Sequence, residues 1–287
     1  MHSSRIQLPD GEHTVVEWHG ASEQAPQGVI LFLPALGVNV SYYRALGAAW
    51  AARGYCVAAA EIRGMRQSSV RDVRRQDFGY REVLADVAHL RQQLSEQTSG
   101  RPLILAGHSL GGQFALLQAC ENPAEVAGVA LLAGGSNYFR AMPGALSAWK
   151  RGFGLRLIQQ LNRSLGYFPG DKLGFGGRQP GRLIRDWTQE ALHGRYRLEN
   201  SDADYEAALR RLELPVLLLS LSGDRFVPRS CADFLADKLA RASVTQRELQ
   251  AADHGLRAFS HFTWAKSPQP VLDAFQAWRE RLPNAAT

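Results

Sequence analysis

Three kinds of residue in this sequence can do chemistry together: a serine framed by glycines, an aspartate at the end of an apolar run, and a pair of histidines near the C-terminus. The serine is Ser109, within Gly107-His108-Ser109-Leu110-Gly111. This G-x-S-x-G pattern lies directly between the apolar run "RPLILAG" and the helical pattern "LGGQFALLQAC", the strand–turn–helix context that such a motif requires. A serine on so sharp a turn has strained backbone angles. Side chains at the two flanking positions would collide with the neighbouring strand and helix, so both must be glycine. The turn lifts the hydroxyl above the sheet edge, and the start of the helix favours a developing negative charge. That equipment suits a nucleophile attacking an acyl carbon. A hydroxyl needs a base to take its proton, and "ADHGLRAFSHF" supplies two candidates, His254 and His261. Asp224, in "LLLSLSGDRFVP", is the only acid at the end of its apolar run and can orient an imidazole. His108, inside the motif, is read as packing beside the turn rather than as the base.

The elements that must position these groups follow from the hydrophobic pattern. "HTVVEW" (13–18) alternates like a half-buried strand, and "GVILFLPAL" (28–36) is a continuous apolar run, as in a strand buried on both faces. "YCVAAAEI" (55–62), "RPLILAG" (101–107), "VAGVALLAG" (126–134), "LPVLLLSLSGD" (214–224) and "VTQRELQ" (244–250) read as further strands. Helical spacing fills the gaps over 41–54, 81–97, 110–120, 230–241 and 270–281; the second of these carries Val83, Val87, Leu90 and Leu94 on one face. Strands alternating with helices predict a mostly parallel α/β sheet covered on both faces. The alternation stops at about 135 and resumes at about 210. Between them the sequence is Gly- and aromatic-rich and irregular, with a few helical pieces. The expected organisation is therefore one core made of 1–134 and 211–287, with 135–210 inserted as a cap or lid.

The bulk numbers exclude several classes. Of 287 residues, 45% are apolar and 21% charged, as in an ordinary globular protein. No apolar run is long enough to span a bilayer, and the N-terminal stretch has no apolar segment typical of a secretory signal. Cys56, Cys120 and Cys231 are far apart and odd in number, forming neither a metal pattern nor a disulfide framework. A cytoplasmic location with free, buried thiols is expected. The net charge of +6 is uneven: residues 136–197 carry eleven Lys/Arg against three acids. No nucleic-acid motif accompanies this basic segment, so the readings left are a solvated basic surface or a site that attracts an anionic substrate or membrane surface.

With these motifs in view, the chain resembles the serine-nucleophile α/β-hydrolases over nearly its whole length. "LGVNVSYYRALGAAWAARGY", "GYFPGDKLGFGGRQPGRLIRDWTQEALHGRY" and "HFTWAKSPQPV" are also similar to a branch of that superfamily known mainly as predicted hydrolases. The resemblance implies an α/β-hydrolase fold and the chain order Ser109, Asp224, then histidine. It implies that backbone N–H groups of Leu36, in Pro34-Ala35-Leu36-Gly37, and of Leu110 hold the oxyanion, although the His-Gly that many relatives carry before the first donor is missing here. For the base, the spacing from Asp224 fits His254, whereas His261-Phe262 followed by Pro268 and Val271 resembles the family's run into the last helix and favours His261. The expected catalytic set is Ser109, Asp224 and His261, with no cofactor and no metal.

The expected activity is hydrolysis of a carboxylic ester or thioester through an acyl-enzyme. Acyl transfer with the same triad is the alternative, and a non-catalytic binding protein on the same scaffold is another. The expected partner is a small acyl substrate, and the basic insertion makes an anionic one attractive. Nine aromatic residues of the insertion, from Tyr138 to Tyr196, either line an acyl pocket or form the lid's own core; "GFGG" (174–177) reads as a hinge or a tight turn. Substrate identity, acyl length and oligomeric state are not legible.

Overall fold

The computed structural model describes residues 1–20, 27–98 and 101–282. Its centre is an eight-stranded sheet built from β1 (His2–Gln7), β2 (His13–His19), β3 (Gly28–Leu33), β4 (Tyr55–Ala60), β5 (Leu103–His108), β6 (Val126–Leu132), β9 (Pro215–Leu221) and β10 (Ser243–Leu249). Two short strands of the insertion, β7 (Tyr167–Pro169) and β8 (Arg178–Pro180), pair with each other and not with the sheet. The order is β1-β2-β4-β3-β5-β6-β9-β10. The first two pairings are antiparallel and all others parallel, as the sequence predicts for most of the sheet.

Each central strand is apolar throughout because both of its faces are covered. Along β3, Val29, Leu31 and Leu33 join one buried cluster, while Ile30 and Phe32 join another on the opposite face. The first cluster is closed by α2 (Tyr80–Thr98), α3 (Leu110–Glu121) and α8 (Arg229–Ala236); the second by α1 (Arg44–Ala51) and α9 (Gln269–Arg279). Val83, Val87, Leu90 and Leu94 of α2 are all buried, so the amphipathic reading of that helix holds. On the other face Trp50 and Phe275 meet edge-on at 5.3 Å. At roughly 25 cal/mol per Å2 of apolar area removed from water, these two layers dominate the stability of the fold.

Two features depart from the sequence reading. The strand β1 was not expected, because "HSSRIQ" is polar and mostly exposed. It is an edge strand, and charged or polar side chains on an edge discourage pairing with other chains. The insertion, expected to be irregular, is mainly helical: α4 (Ala145–Leu165), α5 (Gly170–Leu173), α6 (Gly181–His193) and α7 (Tyr205–Arg211) occupy most of it. Three of its glycines end helices, while Gly152 and Gly154 lie within α4. Gly166, Gly174 and Gly194 each cap a helix in the left-handed conformation, where glycine carries no Cβ penalty.

Topology places the site. From β3 the chain crosses to β4 on one side, then to β5 on the other, so the strand order reverses at β3. A crevice therefore opens beyond the carboxyl ends of β3 and β5, where open parallel sheets bind their ligands.

Candidate active site

Ser109 follows β5 directly and is the N-cap of α3, with φ 52° and ψ −116°. Positive φ is a strained state for a side-chain-bearing residue, costing of order 1–3 kcal/mol, and the surroundings enforce it. The Ser109 N–H donates to the Leu132 carbonyl at 3.1 Å, and its carbonyl accepts from Gly112 and Gln113. The need for flanking glycines is steric, as expected. A Cβ on Gly107 would lie 2.2 Å from the Gly111 carbonyl carbon, and one on Gly111 would lie 2.2 Å from the Leu33 oxygen. The elbow is thus packed backbone against backbone, on the loop that leaves β3.

That loop carries Leu36. Its geometry is fixed by Tyr43, in a 3-10 turn over Val40–Tyr43. The Tyr43 hydroxyl accepts from the Ala35 N–H at 3.1 Å and lies 2.7 Å from His108 Nδ1. The hydroxyl thus bridges the Ala35 N–H and the His108 ring. Complete burial holds the His108 pKa well below the usual value, and the neighbouring His261 adds to the depression. His108 therefore packs beneath the elbow, as expected, and links it to the Leu36 loop.

Asp224 follows β9 and is buried. Its Oδ1 accepts from the Phe226 N–H at 2.8 Å and the Val227 N–H at 3.2 Å, and its Oδ2 lies 2.7 Å from His261 Nδ1. A carboxylate accepting at three points leaves Nδ1 protonated and Nε2 as the acceptor. His261 is 5% exposed and packs against the rings of His108, Phe226 and Phe262 at 4.7, 5.1 and 4.9 Å. His254 has no part in this cluster: it is exposed at the end of a 3-10 turn, its ring 6.1 Å from Phe259. Of the two histidines, the structure brings His261 to Asp224.

Ser109 and His261 line one cavity of about 40 Å3, together with Ala35, Leu36, Leu110, Asn137 and Arg151. Phe175, Trp187, Phe226, Val227 and Phe262 complete its wall. All five expected site residues thus border or support a single space, drawn from the ends of β3, β5 and β9 and the loop beyond β10. Leu110 opens α3, where the first N–H groups of a helix have no acceptor within it. The 135–210 segment lends Asn137, Arg151, Phe175 and Trp187 to the cavity wall. Gly176 meets Gly37 so closely that a Cβ on Gly37, which has φ +74°, would lie 2.3 Å from the Gly176 carbonyl. The GFGG stretch is a tight turn, with Gly174, Gly176 and Gly177 all at positive φ.

The aromatic residues of the insertion divide. Phe175 and Trp187 face the cavity, 6.0 Å apart. Tyr167, Phe168 and Tyr196 are buried among the insertion's own elements and the core, whereas Trp149 and Phe153 stack on each other at 5.7 Å on the outside. Asn137 and Arg151 are cavity residues that the sequence reading did not single out. Asn137 sits beyond the end of β6, a place where site residues gather. Nothing in the spacing of α4 marks Arg151 among the other basic residues. Among the described residues, no group of three or more His, Cys, Asp or Glu is placed to hold a metal ion. No helix is long and apolar enough to cross a membrane.

Comparison with known proteins agrees with this architecture. The protein called "Putative carbamate hydrolase RutD" of Variovorax paradoxus is 25% identical over 282 residues, covering 90% of this chain and 94% of that protein. The alpha/beta hydrolase GrgF from Penicillium sp. sh18 superposes with a TM-score of 0.66 at 13% identity, covering 98% of each chain. A monoacylglycerol lipase of Paleococcus ferrophilus superposes at 0.62 with 18% identity, covering 97% of this chain and all of that one. The Hydrolase_4 family model, described as serine aminopeptidase, S33, matches residues 24–258, a span holding Ser109 and Asp224 and ending just before His261. The chain belongs to that family, and is an α/β-hydrolase.

Proposed function

We propose that this protein is a serine hydrolase that cleaves a carboxylic ester or thioester through an acyl-enzyme on Ser109. The observation that carries the reading is the His261–Asp224 pair, 2.7 Å apart and buried, beside the cavity that Ser109 also lines. In this reading His261 Nε2 takes the Ser109 proton as the oxygen attacks the acyl carbon. Asp224 holds the ring and stabilises the imidazolium. The N–H groups of Leu36 and Leu110 bind the oxyanion, each contributing roughly 3–4 kcal/mol by analogy with other sites. The imidazolium then gives its proton to the leaving group, and a water deprotonated by His261 releases the acid. The 135–210 segment acts as the cover of the site, resting on the Leu36 loop through the Gly37–Gly176 contact.

A second reading is cleavage of an acyl C–N bond by the same groups. It is favoured by the carbamate hydrolase named above and by the description of the family itself. A fluorophosphonate probe tests the nucleophile: wild type is labelled and Ser109→Ala is not. A wild-type protein that stays unlabelled would overturn both readings. A panel of phenyl esters, thioesters, anilides and phenyl carbamates sharing one acyl group then separates them, because the favoured bond shows the highest kcat/KM.

A further inference from the structure

Three arginines of the insertion are held in ion pairs. Arg178 pairs with Asp171 at 2.8 Å, Arg182 with Glu82 at 2.9 Å, and Arg185 with Glu199 at 2.7 Å. The Arg151 guanidinium reaches the catalytic cavity instead. Its Nη1 donates to the Phe226 carbonyl at 2.6 Å and touches Met142 Sδ at 2.9 Å, while Nη2 lies 3.5 Å from Asn137 Oδ1. Only the first is a strong hydrogen bond, and among the described residues no carboxylate pairs with it. Two carboxylates are near enough to be felt, Glu190 and Asp224, but both are engaged. Glu190 accepts from the Ser136 hydroxyl and the Asn137 N–H, and Asp224 from His261 and two backbone groups. Arg151 is half-buried, and arginine stays charged in such a place.

The rest of the cavity wall explains what is missing. Apart from Arg151 and His261, it is made of uncharged residues, chiefly Leu36, Phe175, Trp187 and Phe226. A ligand there meets one fixed cation, an apolar stretch, and the Ser109 hydroxyl. Asn137 also borders the space. With its Oδ1 turned to Arg151, its amide N–H2 is left as a second donor on the same side.

We propose that Arg151, with Asn137 beside it, receives a carboxylate carried by the substrate, so that the enzyme acts on short acyl compounds bearing a second, anionic end. The methylene spacer lies against Phe175, Trp187 and Phe226 while the scissile carbonyl meets Ser109. Arg151 and Ser109 border the same cavity, so a short spacer joins the two ends of the substrate. This rests on the reading of Ser109 as nucleophile and deepens it by naming the substrate class.

The test uses a matched pair, monophenyl glutarate and phenyl valerate, which differ only in a carboxylate replacing a methyl group. Wild type prefers the glutarate by about 30-fold or more in kcat/KM, the size expected for charge-assisted hydrogen bonds that discriminate between the two. In Arg151→Met that preference ratio collapses toward one, chiefly through KM for the glutarate. Arg151→Lys keeps part of it, because a point charge replaces the fork. Equal activity of wild type on both esters, with fluorophosphonate labelling intact, would overturn the proposal and leave the serine hydrolase reading standing. An equal loss on both esters in Arg151→Met would also overturn it, assigning Arg151 only to holding the Phe226 loop. Calorimetric titration of free glutarate and neutral valeramide into wild type needs neither a variant nor turnover. Glutarate binding with no valeramide binding supports the carboxylate site even if Ser109 proves unreactive, and the absence of glutarate binding counts against it.

Discussion

The ledge of loops at the strand ends and the helical insertion above it are held by different means. The ledge is locked backbone to backbone: Gly107 meets the main chain of Gly111, Gly111 that of Leu33 and Pro34, and Asp224 is seated on two peptide N–H groups. The insertion packs apolar residues such as Leu183, Ile184 and Ala191 into the core and adds side-chain polar contacts. Asp186 accepts from the Tyr80 and Glu199 N–H groups, and burial raises its pKa to about 6. Glu190 is likewise raised by burial, and the arginines of α6 bridge to Glu82 and Glu199. The difference teaches where each part can change. Backbone contacts fix the reacting geometry and tolerate almost no substitution. On the proposed reading the 135–210 segment covers the site, and exchanging Arg151 changes what the cavity accepts.

Substitutions on the ledge should separate it most sharply from its cover. Ser109→Ala removes the proposed nucleophile and is expected to lower kcat by about 10^4-fold or more, with circular dichroism and melting unchanged. Retained turnover would break the contrast at its centre. Asp224→Asn keeps the shape but supports the wrong imidazole tautomer, so a loss of the order of 10^4-fold in kcat is expected, again without unfolding. Gly111→Ala drives a methyl into the Leu33 and Pro34 carbonyls and is expected to destabilise by about 3 kcal/mol or more, read as a lower denaturant midpoint; a neutral result would mean that the elbow yields more than its contacts imply.

A subtler probe lies behind the ledge. Glu61, just past β4, is 2% exposed and accepts from the Val40 N–H at the start of the Tyr43 turn. Burial raises its pKa from 4.5 to about 7. A carboxyl raised on folding destabilises the native state once it must ionise, so wild-type stability should fall as pH rises from about 4.5 to about 7. Glu61→Gln removes that slope and should be more stable than wild type by about 3 kcal/mol at pH 8, with the gain vanishing below pH 4.5. Melting temperatures of the pair across pH decide it, and a gain independent of pH would refute the cause. The smallest effect is expected at His254→Ala. This exposed residue lies outside the site, so activity should stay within about twofold and stability within about 0.5 kcal/mol.

Much of the ledge is legible in the sequence because its constraints are local. Gly107 and Gly111 flank Ser109 for a steric reason that any reader of the pattern can supply. Apolar runs such as "GVILFL" announce strands covered on both faces. The choice between His254 and His261 is harder, since two local signals, distance from Asp224 and the run into α9, point apart. Only the fold shows which ring reaches the carboxylate. The strand β1 is illegible because its pairing comes from β2 and not from its own polar residues. Helices α4 and α6 are obscured by glycines that act as caps at their ends, and by aromatic residues whose roles depend on what they face. Arg151 looks like any surface arginine until α4 is folded over the cavity.

More than half of the chain separates Ser109 from His261. The members of the site meet only when β3, β5, β9 and β10 lie side by side in one sheet. Reactivity of the serine is therefore a gauge of long-range order. On the proposed reading, a chain in which the first strands have assembled but the last has not would hold its nucleophile without its base. In that reading, the serine gains its base only once the final sheet strand is in place.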